Sequence, residues 1–425
     1  MELYSIVIFI MAILIGLSAL TEKLPVPRPT VLIIAGMLIG FTPGLPHITI
    51  DPEVVFLIFL PPLLFDAAFK ISLQNFRRDI NIISSMAVVM VFVTTTAIAV
   101  AAYYLIPGLS WPMAFVLGAI LSPPDAVAAT SATKGLGLSK RTVTILEGES
   151  LVNDASGLIA YRFAVAAVAG SVFVFWKAAI DFVITMGGGI LIGLILGKIF
   201  DRVYRGVYEN THVAVSLTIL TPFVAYLLAE EMNVSGVLSV VTAGFVASYN
   251  SEKALSPASR TQANSFWDTI IFLLNGLVFI LIGLEFPYVV GALEADVSMR
   301  KMIGYAFLLT AVCLIVRFFG IIRLAMGLKH RKKYLERKKL TPEIEQLKLK
   351  DAMIIGWSGM RGIVSLATAL ALPVTMSNGS PFPQRNTIIF LAVVVVLITL
   401  LVQGLTLPLL VKRLNKRTLE QLEER

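Results

Sequence analysis

Charged residues are scarce in this sequence. Of its 425 residues only 15% are Asp, Glu, Lys or Arg, while 57% are hydrophobic and the mean hydropathy is +0.85. Soluble domains carry about 25% charged residues, so this deficit excludes an ordinary soluble globular protein. Because long apolar runs recur from one end of the chain to the other, the sequence predicts an all-α polytopic membrane protein.

Cysteine, histidine and enzyme motifs are also sparse. The single cysteine, Cys313, cannot form an intramolecular disulfide, and none of the three histidines has metal-ligand spacing with another. The sequence contains no HExxH, GxSxG, Walker lysine loop or dinucleotide fingerprint. These absences argue against an enzyme, a cofactor and a nucleotide partner. Because no motif supports the use of ATP, an ion gradient across the membrane is the remaining energy source for any active transport.

The net charge of +8 has a topological explanation and needs no nucleic-acid partner. Lys and Arg lie mainly in short connections between apolar runs, and such basic connections stay on the cytoplasmic side of the membrane. The alternation predicts an N-terminus outside and a short cytoplasmic tail at 413–425. The strongly basic segment 329–350 is the only long polar connection. We expect it to be a solvated cytoplasmic loop, with lipid-headgroup contact as the weaker alternative.

The apolar runs predict the number of membrane helices. A span needs about 20 apolar residues, and a count that places the two termini on opposite sides must be odd. We predict thirteen helices, near 3–21, 28–43, 53–72, 81–106, 111–134, 139–171, 176–204, 212–231, 233–249, 265–285, 300–327, 351–376 and 386–412.

Helix-breaking residues interrupt two of these runs. The fifth run contains Ser122-Pro123-Pro124-Asp125, and the twelfth contains the glycine-rich stretch 356–362. The two runs lie seven apart, so two copies with that offset would have opposite orientations. Paired interrupted helices in inverted repeats mark the binding sites of secondary transporters. Two ordinary kinks are the alternative.

The sixth run contains a polar stripe. Glu149 and Asn153 are four residues apart, as are Ser150 and Asp154, so the four side chains share one helix face. A carboxylate in an apolar run is costly unless it faces water or a partner. Burial favours its protonated form and a bound cation favours its charged form, so Asp154 can hold one or the other. For Glu149 a structural ion pair is an equally good interpretation.

Breaks in the fifth and twelfth runs add further candidates. Pro124 frees backbone carbonyls of the preceding turn, and such oxygens suit hard cations. Asp125 is expected to compensate a half-helix N-terminus rather than carry protons. Arg361 is a fixed charge at membrane depth, and Glu149 is its candidate partner.

Three more polar residues lie within apolar runs. Arg317 has no partner that the sequence identifies. Asp66 is either a membrane acid of the site or a residue of the cytoplasmic interface. Asn275 is expected to form a helix–helix hydrogen bond rather than bind a ligand.

At this point the sequence resembles the NhaP/NHE-type sodium/proton antiporters. The motifs that carry the resemblance appear in family order along essentially the whole chain: Leu60-Pro61-Pro62-Leu63-Leu64-Phe65-Asp66, Pro124-Asp125-Ala126-Val127-Ala128, Glu147-Gly148-Glu149-Ser150-Leu151 with Asn153-Asp154, and Gly359-Met360-Arg361-Gly362 with Val364-Ser365-Leu366.

The resemblance implies the NhaA-like antiporter fold, a homodimer, and a core moving against a dimerisation scaffold. We place the core around 53–171 and 265–412. By the same resemblance, Asp154, Ser150, Glu149 and the carbonyl of Pro124 form the Na⁺ site, Arg361 pairs with a core acid, and the Asn153-Asp154 pair marks the electroneutral branch. Many relatives have Thr-Asp-Pro where this chain has Pro124-Asp125-Ala126, so a threonine ligand is missing.

The expected function is electroneutral exchange of Na⁺, and of Li⁺ as well, for H⁺ across a prokaryotic inner membrane. Exchange of K⁺ for H⁺ is the alternative within transport. A cation channel and a non-transporting membrane sensor are the alternatives from other classes.

Overall fold

The computed structural model describes residues 3–21, 28–42, 52–133, 136–171, 174–291, 293, 298–337, 347–376 and 379–423. The regular structure of these residues is helical, with one isolated β-bridge between Thr375 and Pro381. In chain order the helices are α1 (Leu3–Thr21), α2 (Arg28–Gly40), α3 (Pro52–Lys70), α4 (Leu73–Arg78), α5 (Ile80–Ser84), α6 (Val91–Leu105), α7 (Trp111–Leu121), α8 (Ala126–Ala132), α9 (Lys140–Val168), α10 (Phe175–Gly206), α11 (Thr211–Glu231), α12 (Gly236–Ala254), α13 (Pro257–Gly291), α14 (Met299–Arg337), α15 (Leu349–Trp357), α16 (Ile363–Leu370) and α17 (Arg385–Glu423).

Each predicted apolar run contains a helix, and the predicted all-helical membrane fold is confirmed. In the part of the chain that the structure describes, eight helical segments are long and apolar enough to cross a membrane, and two shorter apolar helices precede them. A π-helical segment, Ser85–Met90, joins α5 and α6 into one of the eight. The count of thirteen crossings stays a prediction.

The basic segment 329–350 is described only in part. Helix α14 continues to Arg337, so the first residues of the segment extend a membrane helix instead of forming a loop. Residues 338–346 lie outside the described residues. The tail 413–425 continues α17 as far as Glu423, and the last two residues are not described.

The fifth predicted span is broken as expected. Helix α7 ends at Leu121, and α8 begins at Ala126 after an extended Asp125. Proline has no backbone N–H and clashes with the preceding turn, so Pro123 and Pro124 end the first half-helix. Asp125 caps the second half-helix through its side chain, which accepts hydrogen bonds from the amides of Val127 and Ala128.

The twelfth predicted span is broken too, between Trp357 and Ile363. Helix α17 satisfies part of the exposed backbone: Gln403 donates to the carbonyl of Trp357 at 2.6 Å, and the hydroxyl of Thr399 accepts from the amide of Arg361 at 3.1 Å. Irregular backbone at membrane depth is tolerated where protein groups satisfy it. Helix α17 therefore supports the break.

The two breaks meet in the interior. The amide of Asp125 donates to the carbonyl of Met360 at 2.7 Å, so the interrupted helices α7–α8 and α15–α16 cross at their breaks. Helices α6, α9, α14 and α17 pack around this crossing. The predicted pair of interrupted helices is confirmed.

A second group of helices packs beside the crossing. Helix α3 packs mainly on α11 and α12, α10 packs on α12, and α13 packs mainly on α2. We placed α3 and much of α13 in the core, yet their closest neighbours lie in this second group. The division into a moving core and a scaffold stays a prediction, with α3 and α13 at its boundary.

Glycines set the close approach of α2 and α13. A Cβ at Gly283 would collide with the carbonyl oxygen of Ile33, and a Cβ at Gly36 would collide with the carbonyl of Ile280. Small residues allow helix backbones in membranes to pack closely, which compensates for the missing hydrophobic drive. The position of α13 therefore depends on these two glycines.

We expect Gly283→Ala to lower the stability of the folded protein by about 1–3 kcal/mol, because overpacking forces the backbones apart. Gly304→Ala in α14 is the matched control, since a Cβ there meets nothing within 4 Å and alanine favours a helix by about 1 kcal/mol. The measurement is the midpoint of thermal unfolding in detergent. Equal midpoints for the two variants would contradict the close α2–α13 contact.

Candidate functional site

Helix α9 brings its polar stripe to the crossing of the broken helices. It begins after Ser139, whose hydroxyl accepts a hydrogen bond from the amide of Thr142 at 3.1 Å. A cavity lies between the stripe, the two breaks and α3. Its lining residues are Leu60, Leu63, Leu64, Ala67, Pro123, Pro124, Asp125, Ala126, Val127, Glu147, Ser150, Leu151, Asp154, Asn275, Gly362, Ile363, Val364 and Ser365.

Asp154 is the buried acid of this cavity. It is 7% exposed, and it forms neither a hydrogen bond nor an ion pair with any residue that the structure describes. Another carboxylate, Asp125, lines the same cavity. An ionised carboxylate is unstable in such surroundings unless a proton or a cation compensates it. The geometry therefore leaves Asp154 available to either.

Asn153 positions a backbone carbonyl at the break. Its amide nitrogen donates to the carbonyl of Pro124 at 3.0 Å, and its own Oδ1 has no hydrogen-bond partner within the described part of the chain. A carbonyl oxygen has two lone pairs, so Pro124 retains the capacity to coordinate a cation. Asn153 itself is fully buried, and it holds this carbonyl in place.

Ser150 connects α9 to the second half-helix of the first break. Its hydroxyl oxygen accepts a hydrogen bond from the amide of Ala126 at 3.4 Å. Ser150 lies one turn before Asp154 and lines the same cavity. The stripe thus places a hydroxyl oxygen beside the free carboxylate.

Asp125 compensates both half-helix N-termini at the crossing. Its Oδ1 accepts from the amide of Val127 at 2.8 Å, and its Oδ2 accepts from the amide of Ile363 at 3.4 Å. A Cβ at Gly362 would collide with Oδ2, so this approach requires glycine. N-terminal amides carry partial positive charge, and Asp125 is placed as the expected compensating role requires.

The expected pairing of Glu149 with Arg361 is wrong. Arg317 donates to Oε1 of Glu149 at 2.6 Å and to Oε2 at 2.8 Å, and both side chains are buried. Arg317 also donates to the carbonyl of Ile355 at 3.3 Å. With both oxygens engaged, Glu149 fits the structural interpretation better than the ligand role.

Arg361 is buried without an acidic partner among the described residues. It is 1% exposed, and its Nε and Nη1 find no hydrogen-bond acceptor there. Its side chain lies near Cys313 and near the Glu149–Arg317 pair. The prediction that Arg361 forms an ion pair with a core acid is therefore not met.

Asp66 lies in an ion pair outside the cavity. Lys70 contacts Asp66 at 2.8 Å and Asp268 at 2.7 Å, so it connects α3 with α13. Leu63, Leu64 and Ala67 line the cavity, but Asp66 does not. The geometry favours the interface interpretation of Asp66, and a direct role at the site stays a prediction.

Three polar residues of the cavity, Glu147, Asn275 and Ser365, received no site role from the sequence, and the hydroxyl of Ser365 is buried without a partner within the described residues. Glu147 lies on the same face of α9 as Asp154, because the two residues are seven positions apart. That spacing could have indicated from the sequence that Glu147 lines the site. Asn275 lines the cavity from α13, and its Oδ1 is buried without a partner within the described residues. The expected helix–helix hydrogen bond is not formed through that atom.

A second cavity adjoins the first. The residues that line both are Asp125, Val127, Asn275 and Ile363. The second cavity is lined in addition by Ser18, Arg28, Pro29, Leu32, Ala128, Ser131, Ala132, Phe272, Gly276, Phe279, Gly404 and Pro408. No group of three or more His, Cys, Asp or Glu side chains in the described part of the chain is arranged to hold a metal ion.

Comparison with known proteins gives one family. Residues 8–413 match the family model described as sodium/hydrogen exchanger, transmembrane, which confirms the resemblance seen in the motifs. The "sodium, potassium, lithium and rubidium/H(+) antiporter" of Bacillus pumilus is 34% identical over 98% of this chain, and that of Bacillus subtilis is 33% identical over 96%. The chain spans 62% of the length of each of these two relatives.

Other relatives match over nearly their full length. The Na⁺/H⁺ antiporter NhaH of Halobacillus aidingensis is 30% identical, with 96% of this chain and 97% of that protein covered. The solved structure of the sodium proton antiporter MjNhaP1 from Methanocaldococcus jannaschii superposes with a TM-score of 0.74 at 19% identity, covering 97% and 99% of the two chains. This likeness confirms the predicted antiporter fold.

The buried pair at α9 and α14 yields a stability prediction. Arg317→Met leaves the Glu149 carboxylate buried and uncompensated, so we expect the free energy of unfolding to fall by about 3–5 kcal/mol. Adding Glu149→Gln should recover most of that loss. Arg323→Met on the same helix is the control, because Arg323 is exposed. The thermal midpoint in detergent is measured for Arg317→Met, Arg323→Met and Arg361→Met, each alone and with Glu149→Gln. Rescue by Glu149→Gln of Arg361→Met but not of Arg317→Met would contradict the pairing.

Proposed function

Because the chain belongs to the sodium/hydrogen exchanger family, we propose that it is a secondary antiporter that exchanges Na⁺, and Li⁺ as well, for H⁺. One observation carries the proposal: Asp154 is a buried carboxylate with no partner among the described residues, in a cavity at the crossing of two broken helices. Such a group binds a proton or a cation, and occupancy by one excludes the other.

The candidate cation ligands are oxygens around Asp154. Ser150 provides a hydroxyl, Pro124 provides a backbone carbonyl that Asn153 holds in place, and Asp154 provides the charge. Oxygen ligands of this kind suit hard monovalent cations as they suit other hard cations. We leave Glu149 out of the ligand set because Arg317 engages both of its oxygens.

The exchange is proposed to be electroneutral. Asp125 is held by the amides of both half-helices, and Glu149 is held by Arg317. Of the two remaining acids of the cavity, Glu147 and Asp154, we assign the exchange to Asp154 because it is the more deeply buried, so one H⁺ replaces one monovalent cation. The names of the two Bacillus relatives include potassium and rubidium, which supports K⁺ as a further substrate. A channel would not couple cation flow to proton flow.

Alternating access would expose Asp154 to the solution on each side of the membrane in turn. We propose that helices around the crossing move against the group that includes α10, α11 and α12, and that two copies associate through this second group. The bacterial relatives support an inner-membrane location, and the distribution of Lys and Arg between the apolar runs supports an N-terminus outside and a C-terminus in the cytoplasm. Membrane lipid is then the surrounding partner. The proposal needs no catalysis, cofactor, nucleotide or nucleic acid.

Asp154→Asn is the decisive variant for this mechanism. It keeps the shape of the side chain but cannot release a proton, so we expect the exchange rate in proteoliposomes to fall by about 100-fold or more, since even the loss of a residue that only supports a ligand costs about 10–100-fold. Asp181→Asn is the control, because Asp181 is a membrane carboxylate that lines neither cavity. An internal pH dye reports the flux under Na⁺, Li⁺ or K⁺ gradients. Normal exchange by Asp154→Asn would exclude the mechanism.

Competition at one carboxylate predicts a definite pH dependence. At acidic pH, where Asp154 is mainly protonated, each unit decrease in pH should raise the apparent KM for Na⁺ about tenfold, because H⁺ and Na⁺ exclude each other reciprocally. The maximal rate at saturating Na⁺ should be the same with the membrane potential clamped at zero or at a negative value. Sodium currents without proton flux would indicate a channel instead.

A further inference from the structure

Asn275 lies near the middle of α13, a helix of 35 residues. Helix α13 is held against α2 by backbone contacts that only glycine permits. The next residue, Gly276, packs on the side chain of Leu14 in α1, where a Cβ would lie 2.7 Å from a methyl group. Asn275 therefore occupies a fixed position at membrane depth.

The cavity has two chemically different walls. One wall is formed by α9 and the two breaks, and it carries the polar side chains of Asp125, Glu147, Ser150, Asp154 and Ser365 together with the freed backbone of Pro124. The other wall is formed by α3 and α13. It contributes the apolar residues Leu60, Leu63, Leu64 and Ala67 together with Asn275. Among the described residues of this second wall, Asn275 is the polar one.

The amide oxygen of Asn275 is an unpaired acceptor. Its Oδ1 is buried and accepts no hydrogen bond from any residue in the described part of the chain. Buried acceptors are nearly always satisfied, and an exception calls for an explanation such as an ion or water. Polar residues at membrane depth are costly and usually functional.

Asn275 also lies where the two cavities adjoin. It lines both of them together with Asp125, Val127 and Ile363. Asp125 is held by backbone amides of both half-helices, and Val127 and Ile363 have apolar side chains. The boundary between the cavities thus has one uncommitted side-chain oxygen within the described residues.

The geometry points to Asn275 as a determinant of cation binding: its amide oxygen faces the bound cation from the α13 wall, opposite Asp154. This inference rests on the proposed function and adds a ligand to it. An amide oxygen is a neutral hard donor of the kind that small cations accept. It completes the set formed by Asp154, Ser150 and Pro124 without changing the one-for-one charge balance.

The test separates an oxygen donor from a packing residue. Asn275→Leu keeps the approximate size and removes the oxygen, whereas Asn275→Asp keeps an oxygen at the same place. Ser239→Ala is the matched control, because the Ser239 hydroxyl is also buried and unpartnered within the described chain but lines neither cavity. Each variant is first checked for folding by its elution volume and thermal midpoint in detergent.

Two measurements are then made on each protein. The first is the KM for Na⁺, Li⁺ and K⁺ and the maximal rate in proteoliposomes, and the second is the shift of the thermal midpoint with added Na⁺. We expect Asn275→Leu to raise the KM for Na⁺ about tenfold, to weaken stabilisation by Na⁺ in parallel, and to change the ratio of the KM values for Na⁺ and K⁺. The maximal rate should stay within about twofold of the original protein. Asn275→Asp and Ser239→Ala should both retain a low KM for Na⁺.

Other outcomes would overturn the inference. An unchanged KM and unchanged Na⁺ stabilisation in Asn275→Leu would assign Asn275 to packing, as would an equal effect of Ser239→Ala. If Asn275→Leu fails to fold, the KM of Asn275→Ser decides, because it keeps an oxygen on a shorter side chain and should give a smaller increase. If the unmodified protein is stabilised by Na⁺ but exchanges nothing, the proposed function fails. The shift of the thermal midpoint with Na⁺ then still tests whether Asn275 binds the cation. If it is neither stabilised nor active, both fail.

Discussion

Two half-helices begin at the same place in the interior of this protein, and one carboxylate compensates the positive end of each. Asp125 accepts hydrogen bonds from the amides of Val127 and Ile363, and its own amide donates to the carbonyl of Met360. Helix N-termini carry partial positive charge that is costly at membrane depth. Without this carboxylate the positive ends of the two half-helices would lie together uncompensated.

The arrangement of the other acids follows from this constraint. Glu149 is held by Arg317, which connects α9 with α14, and Asp125 is held by backbone amides. Asp154 therefore remains as a buried carboxylate that nothing in the described chain compensates. The protein thus separates acids that stabilise its architecture from the acid available for exchange. This separation accounts for a stripe in which neighbouring residues on one helix face have different roles.

The opposite wall of the cavity depends on packing rather than charge. Glycines in α2 and α13 allow their backbones to touch, and α3 packs on α11 and α12. These contacts leave mainly apolar side chains facing the site, with Asn275 as the exception. A largely apolar wall would favour the motion that we propose against the crossing, because few hydrogen bonds would have to be broken.

Features that depend on local spacing could be predicted from the amino-acid sequence. The thirteen apolar runs predicted where helices form, because burial in a bilayer requires continuous apolar length. Pro123 and Pro124 predicted the first break, and a spacing of four residues placed Ser150 and Asp154 on one face. The motif resemblance predicted the family, and the role of Asp125 at a half-helix N-terminus was inferred from its position after the prolines.

The contacts between residues on different helices could not be predicted in this way. Arg317 and Arg361 were both basic residues in apolar runs, and the sequence favoured Arg361 as the partner of Glu149. The structure gives that place to Arg317. It also places Asn275 in the cavity with an unpaired oxygen, where the sequence predicted a helix–helix hydrogen bond. The physical reason is that helical periodicity fixes neighbours within one helix, whereas partners on other helices depend on how the helices pack.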